Sequence, residues 1–111
     1  MDISVKRSSL GGSLSVPGSK SHTIRAVLLA TMAEGASTIR NPLTSLDGMS
    51  ALNAARTFGA EVVEEPGKWT VRGLAGKLHA PANYLDCGNS GSVAYFATPM
   101  AATIDDYTFV T

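Results

Sequence analysis

Cysteine, aromatic residues and net charge are all scarce in this chain. Among its 111 residues there is one cysteine, Cys87, so no internal disulfide can form. That excludes the small disulfide-framed secreted folds and predicts a cytoplasmic protein. Aromatics make up 6% of the chain, with a single Trp, so a core has to be built mainly from Ala, Val, Leu, Ile and Met. Nine Lys and Arg are matched by nine Asp and Glu. A neutral balance excludes a bulk nucleic-acid binder, which needs a basic excess facing phosphates. The apolar runs are too short to span a bilayer, so no membrane partner is expected. The N-terminus, Met1 to Arg7, alternates like a strand and lacks the apolar block of a signal peptide. Two histidines, His22 and His79, lie too far apart to suggest a metal site, and none is predicted.

What is present suits one globular domain. Hydrophobic residues are 44% of the chain, enough for a modest core at this length. The neutral total hides a gradient. Residues 1–40 carry five cations (Lys6, Arg7, Lys20, Arg25, Arg40) against Asp2 and Glu34. Residues 41–111 carry Arg56, Lys68, Arg72 and Lys77 against seven acids. An anion site therefore belongs in the first 40 residues, unless the imbalance is ordinary solvated surface charge.

The pattern predicts two short strands first, Ile3 to Lys6 and Ser13 to Val16, with a turn at Gly11-Gly12. After Pro17-Gly18 the period changes. Ile24, Val27, Leu28 and Met32 lie on one helical face, with Ser19 or Ser21 as N-cap and Gly35 at the end. A strand follows over Ser37 to Arg40. A second helix runs from about Ser45 to Phe58, with Asp47 in its first turn, where negative charge suits the macrodipole. Glu61 to Glu65 and Lys68 to Arg72 flank Pro66-Gly67 as a hairpin, with Glu64-Glu65 a solvated, aggregation-blocking edge. Gly73 to Ala82 reads as loop and Asn83 to Asp86 as a short strand. Val93, Phe96, Ala97, Met100 and Ala101 form the cleanest helical face, with Pro99 inside it to kink or shorten the helix. Tyr107 to Thr111 alternates like a strand. Trp69 and Met100 read as core, Cys87 as a buried inert thiol and His22 as solvent-facing. The fold class is mixed α/β (α+β): one β-α-β-α-β-β unit plus the start of a second.

Two segments share one design. Pro17-Gly18-Ser19-Lys20-Ser21 and Gly88-Asn89-Ser90-Gly91-Ser92 are glycine- and serine-rich turns that open helices. Such turns offer unpaired backbone N–H groups, and the helix dipole adds partial positive charge. The hydroxyls of Ser19, Ser21, Ser90 and Ser92 can donate to anionic oxygens, and Lys20 adds a mobile cation. Arg25, one turn beyond Ser21 on the same side, can clamp a carboxylate or phosphate. Gly18 is followed by Ser19, so the P-loop pattern fails. Ordinary helix capping is the plain alternative for both turns.

These residues also resemble a known family. Val16-Pro17-Gly18-Ser19-Lys20-Ser21-His22-Thr23-Ile24-Arg25-Ala26 is similar to the opening motif of 5-enolpyruvylshikimate-3-phosphate synthases. Ala33-Glu34-Gly35 with Asn41-Pro42-Leu43, and Leu85-Asp86-Cys87-Gly88-Asn89-Ser90-Gly91-Ser92, resemble that family's next segments in order and spacing. The resemblance implies an inverse αβ-prism of two domains, each of three β-α-β-α-β-β units, with helix N-termini facing the cleft. Residues 1–16 would then be strands and hinge, 17–74 the first unit and 75–111 the start of the second, together a single partial domain.

The resemblance implies transfer of the enolpyruvyl group of phosphoenolpyruvate to the 5-hydroxyl of shikimate 3-phosphate, in the shikimate pathway to chorismate and aromatic amino acids. No cofactor or metal is implied, and the parent enzyme would be a monomer. Lys20, Ser21 and Arg25 match the shikimate 3-phosphate contacts. Lys20, Asn89 and Gly91 match the phosphoenolpyruvate side, where glyphosate also binds, with Ser90 and Ser92 as further candidates. No catalytic acid or base falls within these residues, so the fragment alone is expected to be inactive. Ser92 stands where the family usually has Thr, and Tyr95 where it commonly has Arg. Other readings are a non-catalytic anion-binding module or a relative of UDP-N-acetylglucosamine enolpyruvyl transferase. The latter has a different opening motif and a reactive Cys in another loop.

Overall fold

A computed structural model describes residues 1–80, 82–106 and 108–111. In chain order the elements are α1 (Lys20–Met32), β1 (Ala36–Arg40), α2 (Leu46–Thr57), β2 (Glu61–Glu65), β3 (Lys68–Arg72), β4 (Tyr84–Leu85), α3 (Gly91–Ala101) and β5 (Phe109–Val110). The mixed α/β class expected from the sequence is what forms.

The first sheet has the order β1-β3-β2, antiparallel throughout. Pro66-Gly67 is the two-residue hairpin loop, because Glu65 pairs with Lys68. Proline presets the backbone at the first turn position, and Gly67 takes φ +70° at the second, which side chains resist. The central strand β3 buries Trp69 and Val71 on one face. The other face carries cross-strand ion pairs, Arg72 with Glu61 at 3.3 Å and Lys68 with Glu65 at 2.7 Å. The alternation expected of a half-buried sheet is therefore realised. Glu64 and Glu65 are exposed on the edge strand β2, and Glu64 pairs with Arg56.

Helices α1 and α2 pack over the Trp69 face, and α3 packs against both. Ile24, Val27, Leu28, Val93 and Ala97 are buried, as their periodicity predicts, and Leu52 and Phe58 of the second helical segment are buried with them. Ala30, Ala51, Ala54, Ala55, Ala97 and Ala101 are buried with them, so small side chains let the helices approach closely. This is how a core forms with so few aromatics. Phe96 departs from the expected face and stays 38% exposed. Helix α3 ends two residues past Pro99. Its last turn closes through the N–H groups of Ala102 and Thr103, which donate to the carbonyls of Thr98 and Met100.

Two of the expected strands do not form. Ile3 to Lys6 and Ser13 to Val16 have no regular secondary structure, and Ile3, Val5, Leu14 and Val16 are all exposed. Alternation makes a strand only where a partner accepts its hydrogen bonds, and no described strand lies beside this segment. The first unit in the described residues therefore runs α-β-α-β-β. The strand expected over Asn83 to Asp86 shortens to β4, and that over Tyr107 to Thr111 shortens to β5. Tyr107 itself lies outside the described residues. β4 and β5 pair in parallel, joined through α3, with Leu85 opposite Val110. No helix among the described residues is long and apolar enough to cross a membrane.

Candidate functional site

The α1 N-terminus is seated by contacts that leave no room for side chains. A Cβ on Gly18 would lie 2.2 Å from the Asn41 carbonyl oxygen, and one on Gly48 2.4 Å from the Leu43 carbonyl oxygen. The Asn41-Pro42-Leu43 loop is thus pressed between the start of α1 and the start of α2. Thr23, 4% exposed, accepts the Leu43 N–H at 2.9 Å and ties the same loop to the first turn of α1. Ser19 is the N-cap of α1, accepting from the His22 N–H, and Ser45 caps α2 through the Gly48 N–H.

The α3 N-terminus is built similarly. The Asp86 carboxylate accepts the Gly88 N–H at 2.7 Å, which turns the chain after β4. Ser90 is the N-cap and accepts the Val93 N–H. Its hydroxyl, in a residue 3% exposed, donates to Asp47 Oδ1 at 2.7 Å. Asp47 Oδ2 lies 3.6 Å from Lys20 Nζ. The starts of α1, α2 and α3 therefore meet at one carboxylate.

That environment favours ionised Asp47. The Ser90 hydrogen bond holds its carboxyl below the ordinary carboxylate value, desolvation opposes this, and the Lys20 charge adds to the lowering. A carboxyl with a depressed folded-state pKa contributes stability above its unfolded pKa, and that contribution is lost as pH falls through the folded value. The stability advantage of wild type over Asp47→Asn should accordingly be constant near neutrality and shrink on acidification below the ordinary Asp range. Urea midpoints at a series of pH values check this; an advantage that grows on acidification contradicts it.

Arg25 occupies a neighbouring position. Its guanidinium lies 5.0 Å from the Phe96 ring centroid, and its NH1 donates to the Ser21 carbonyl at 3.2 Å. The exposed Phe96 ring is thus the surface on which Arg25 rests. Leu28, Leu29, Met32 and Met100 complete an apolar hollow of about 230 Å³ there. Asn89 is exposed and, with Asp47, Ser50 and Asn53, lines a more polar hollow of about 350 Å³. Gly91 opens α3, and a Cβ there would meet no protein atom. Packing within this chain does not require glycine at that position. Ser92 is half-buried, and Tyr95 is exposed.

The structure thus links Lys20 to Ser90, and with it to the Asn89–Gly91 turn, while Ser21 and Arg25 share a hydrogen bond one helical turn on. His22 is exposed, as expected. His79 packs its ring against Gly59, a structural contact. Cys87 is 1% exposed, and burial, with the Asp86 charge, pushes its thiol pKa up, so it is a poor nucleophile. No cluster of three metal-ligating side chains occurs among the described residues. Sequence reasoning placed Asp47 only in the helix dipole and missed Thr23. Neither partner is signalled locally, because Asp47 and Ser90 are 43 residues apart and Thr23 and Leu43 are 20 apart.

Three helix N-termini gathered around one ion-paired carboxylate define an α/β unit built to present helix starts at a common edge. The chain belongs to the EPSP synthase (3-phosphoshikimate 1-carboxyvinyltransferase) family, whose profile matches residues 5–111. It is 42% identical over 111 residues to the 3-phosphoshikimate 1-carboxyvinyltransferase of Ruminiclostridium cellulolyticum, covering 100% of this chain and 26% of that protein. It is 44% identical over 112 residues to that of Methanothermobacter thermautotrophicus, with the same coverage. Among solved structures, an EPSP synthase from Acinetobacter baumannii superposes with a TM-score of 0.78 at 28% identity, over 90% of this chain and 23% of that one. The chain spans about a quarter of the length of the curated relatives it matches.

Proposed function

We propose that this chain is part of an enzyme that transfers the enolpyruvyl group of phosphoenolpyruvate to the 5-hydroxyl of shikimate 3-phosphate, with loss of phosphate. On this reading Lys20, Ser21 and Arg25 hold shikimate 3-phosphate. Lys20, Asn89 and Gly91 meet phosphoenolpyruvate, with Ser90 and Ser92 beside them. The observation that carries the reading is the Lys20–Asp47–Ser90 link. It joins a flexible cation on the first motif to the helix-opening turn of the last motif. Two polyanions side by side repel each other, and a shared ammonium offsets that repulsion. Free N–H groups at helix starts suit the remaining oxygens. Residues 1–16, which form no strand here, would be the hinge region of the parent enzyme, 17–74 the first repeat and 75–111 the start of a second, within a cytoplasmic, monomeric parent enzyme.

Titration of the ¹⁵N-labelled chain with shikimate 3-phosphate, then phosphoenolpyruvate, tests this. Shifts should concentrate at Lys20, Ser21, Arg25 and the Gly88–Ser92 turn, and inorganic phosphate should not reproduce them. An equal response to every phosphate would replace the reading with a generic anion-binding module. No steady phosphate release is expected from the 111 residues alone, because none of these side chains is assigned acid–base work.

A further inference from the structure

We infer that Asp47 is a positioning residue: by dividing its carboxylate between Lys20 and Ser90, it holds the Lys20 ammonium in register with the Asn89–Gly91 turn. The inference rests on the reading above for what Lys20 then meets.

Asp47 is firmly mounted. It stands in the first turn of α2, whose start is capped by Ser45 and pressed through Gly48 onto the Leu43 carbonyl. Ser90 is equally fixed. It is buried, it accepts the Val93 N–H, and its single hydroxyl proton goes to Asp47 Oδ1 at 2.7 Å. Lys20 is the movable member, with its side chain 51% exposed on a flexible four-carbon stem. The second carboxylate oxygen, 3.6 Å from Nζ, restricts where that stem points.

Judged by charge alone, Asp47 is out of place. A carboxylate beside an anion site repels the ligand, so removing it should tighten binding. If Asp47 instead sets the position of Lys20, its removal weakens binding. The two roles predict opposite signs for the same neutral, nearly isosteric variant.

The test uses the whole 111-residue chain, labelled with ¹³C and ¹⁵N. One arm needs no ligand. Asp47→Asn and Ser90→Ala should each loosen the Lys20 side chain, read from Cε relaxation and from loss of the Lys20–Asp47 NOE, and Ser90→Thr should restore it. If Ser90→Ala fails to fold, Asp47→Asn decides, since its side-chain oxygen can still accept from Ser90 and the α3 cap stays intact. In the second arm, Asp47→Asn should weaken phosphoenolpyruvate binding by about three- to thirtyfold, the range for residues coupled through a packed network. Unchanged Lys20 order in the variants, or unchanged or tighter phosphoenolpyruvate binding, overturns the inference. If Lys20 loosens as expected but wild type answers neither phosphoenolpyruvate nor shikimate 3-phosphate, the substrate reading fails while the positioning role of Asp47 stands.

Discussion

Replacing Trp69 with Ala is expected to remove about 3–5 kcal/mol of stability, the range for truncating a large buried aromatic. Domains of this size hold roughly 5–15 kcal/mol in total, so the variant should lose a large share of its stability and unfold at a much lower urea concentration. Trp69 is 2% exposed at the centre of β3, the strand that bonds to both others in its sheet. It lies between Ile39 of β1 and Glu64 of β2 in register. A Cβ on Gly48 would stand 3.3 Å from its ring, so α2 rests directly on the indole. Among the described residues no other buried side chain is as large as the indole that is removed. Urea unfolding followed by far-UV circular dichroism measures the loss. A drop below about 1 kcal/mol would mean that the sheet and α2 close over the cavity.

Gly18→Ala should be the most damaging conservative change in the first motif. Gly18 does not have a positive φ, so the cost is purely one of contact. The added methyl would sit 2.2 Å from the Asn41 carbonyl oxygen and 3.1 Å from the Leu43 nitrogen, both backbone atoms that cannot swing aside. Overpacking of this kind costs about 1–3 kcal/mol. It also moves Ser19 and Lys20 relative to the α3 turn, so on the proposed reading the response to shikimate 3-phosphate should fall together with the melting temperature. Gly91→Ala is the informative partner. Its methyl meets no protein atom, Gly91 does not have a positive φ, and at such a site Gly→Ala stabilises by about 0.4–1 kcal/mol by restricting the unfolded chain. On the proposed reading, that variant should melt at the same or a higher temperature while losing its response to phosphoenolpyruvate. Thermal melts and ligand titrations of the two variants separate a glycine required by the fold from one required by a ligand. A destabilised Gly91→Ala, or a Gly18→Ala that melts like wild type, would reverse the assignment.

The elements that could be read from the sequence are those specified by neighbours. Helix α2 starts at the Ser45 cap and ends before Gly59; the hairpin turns at Pro66-Gly67; and α1 and α3 show their buried faces in the spacing of Ile24, Val27, Leu28 and of Val93, Ala97, Met100. The same spacing misplaces Phe96, which stays 38% exposed; its contact, the Arg25 guanidinium, comes from another helix and leaves no trace in local spacing. The alternation over residues 3–6 and 13–16 was legible too, yet no strand forms there. Periodicity describes a face, and a strand also needs a neighbour to receive its hydrogen bonds.

Consecutive residues alone are enough to show that two serine- and glycine-rich turns open helices, that Lys20 and Arg25 share the first of those helices, and which family the motifs resemble. Caps, turns and hydrophobic faces are short-range properties and are written in consecutive residues. It takes the packed fold to show that the two turns meet through Asp47, that Gly18 and Gly48 clasp one loop, and that Gly91 is free of packing. Each depends on atoms from distant segments arriving at one point, and that geometry exists only once the helices have packed on Trp69 and its sheet.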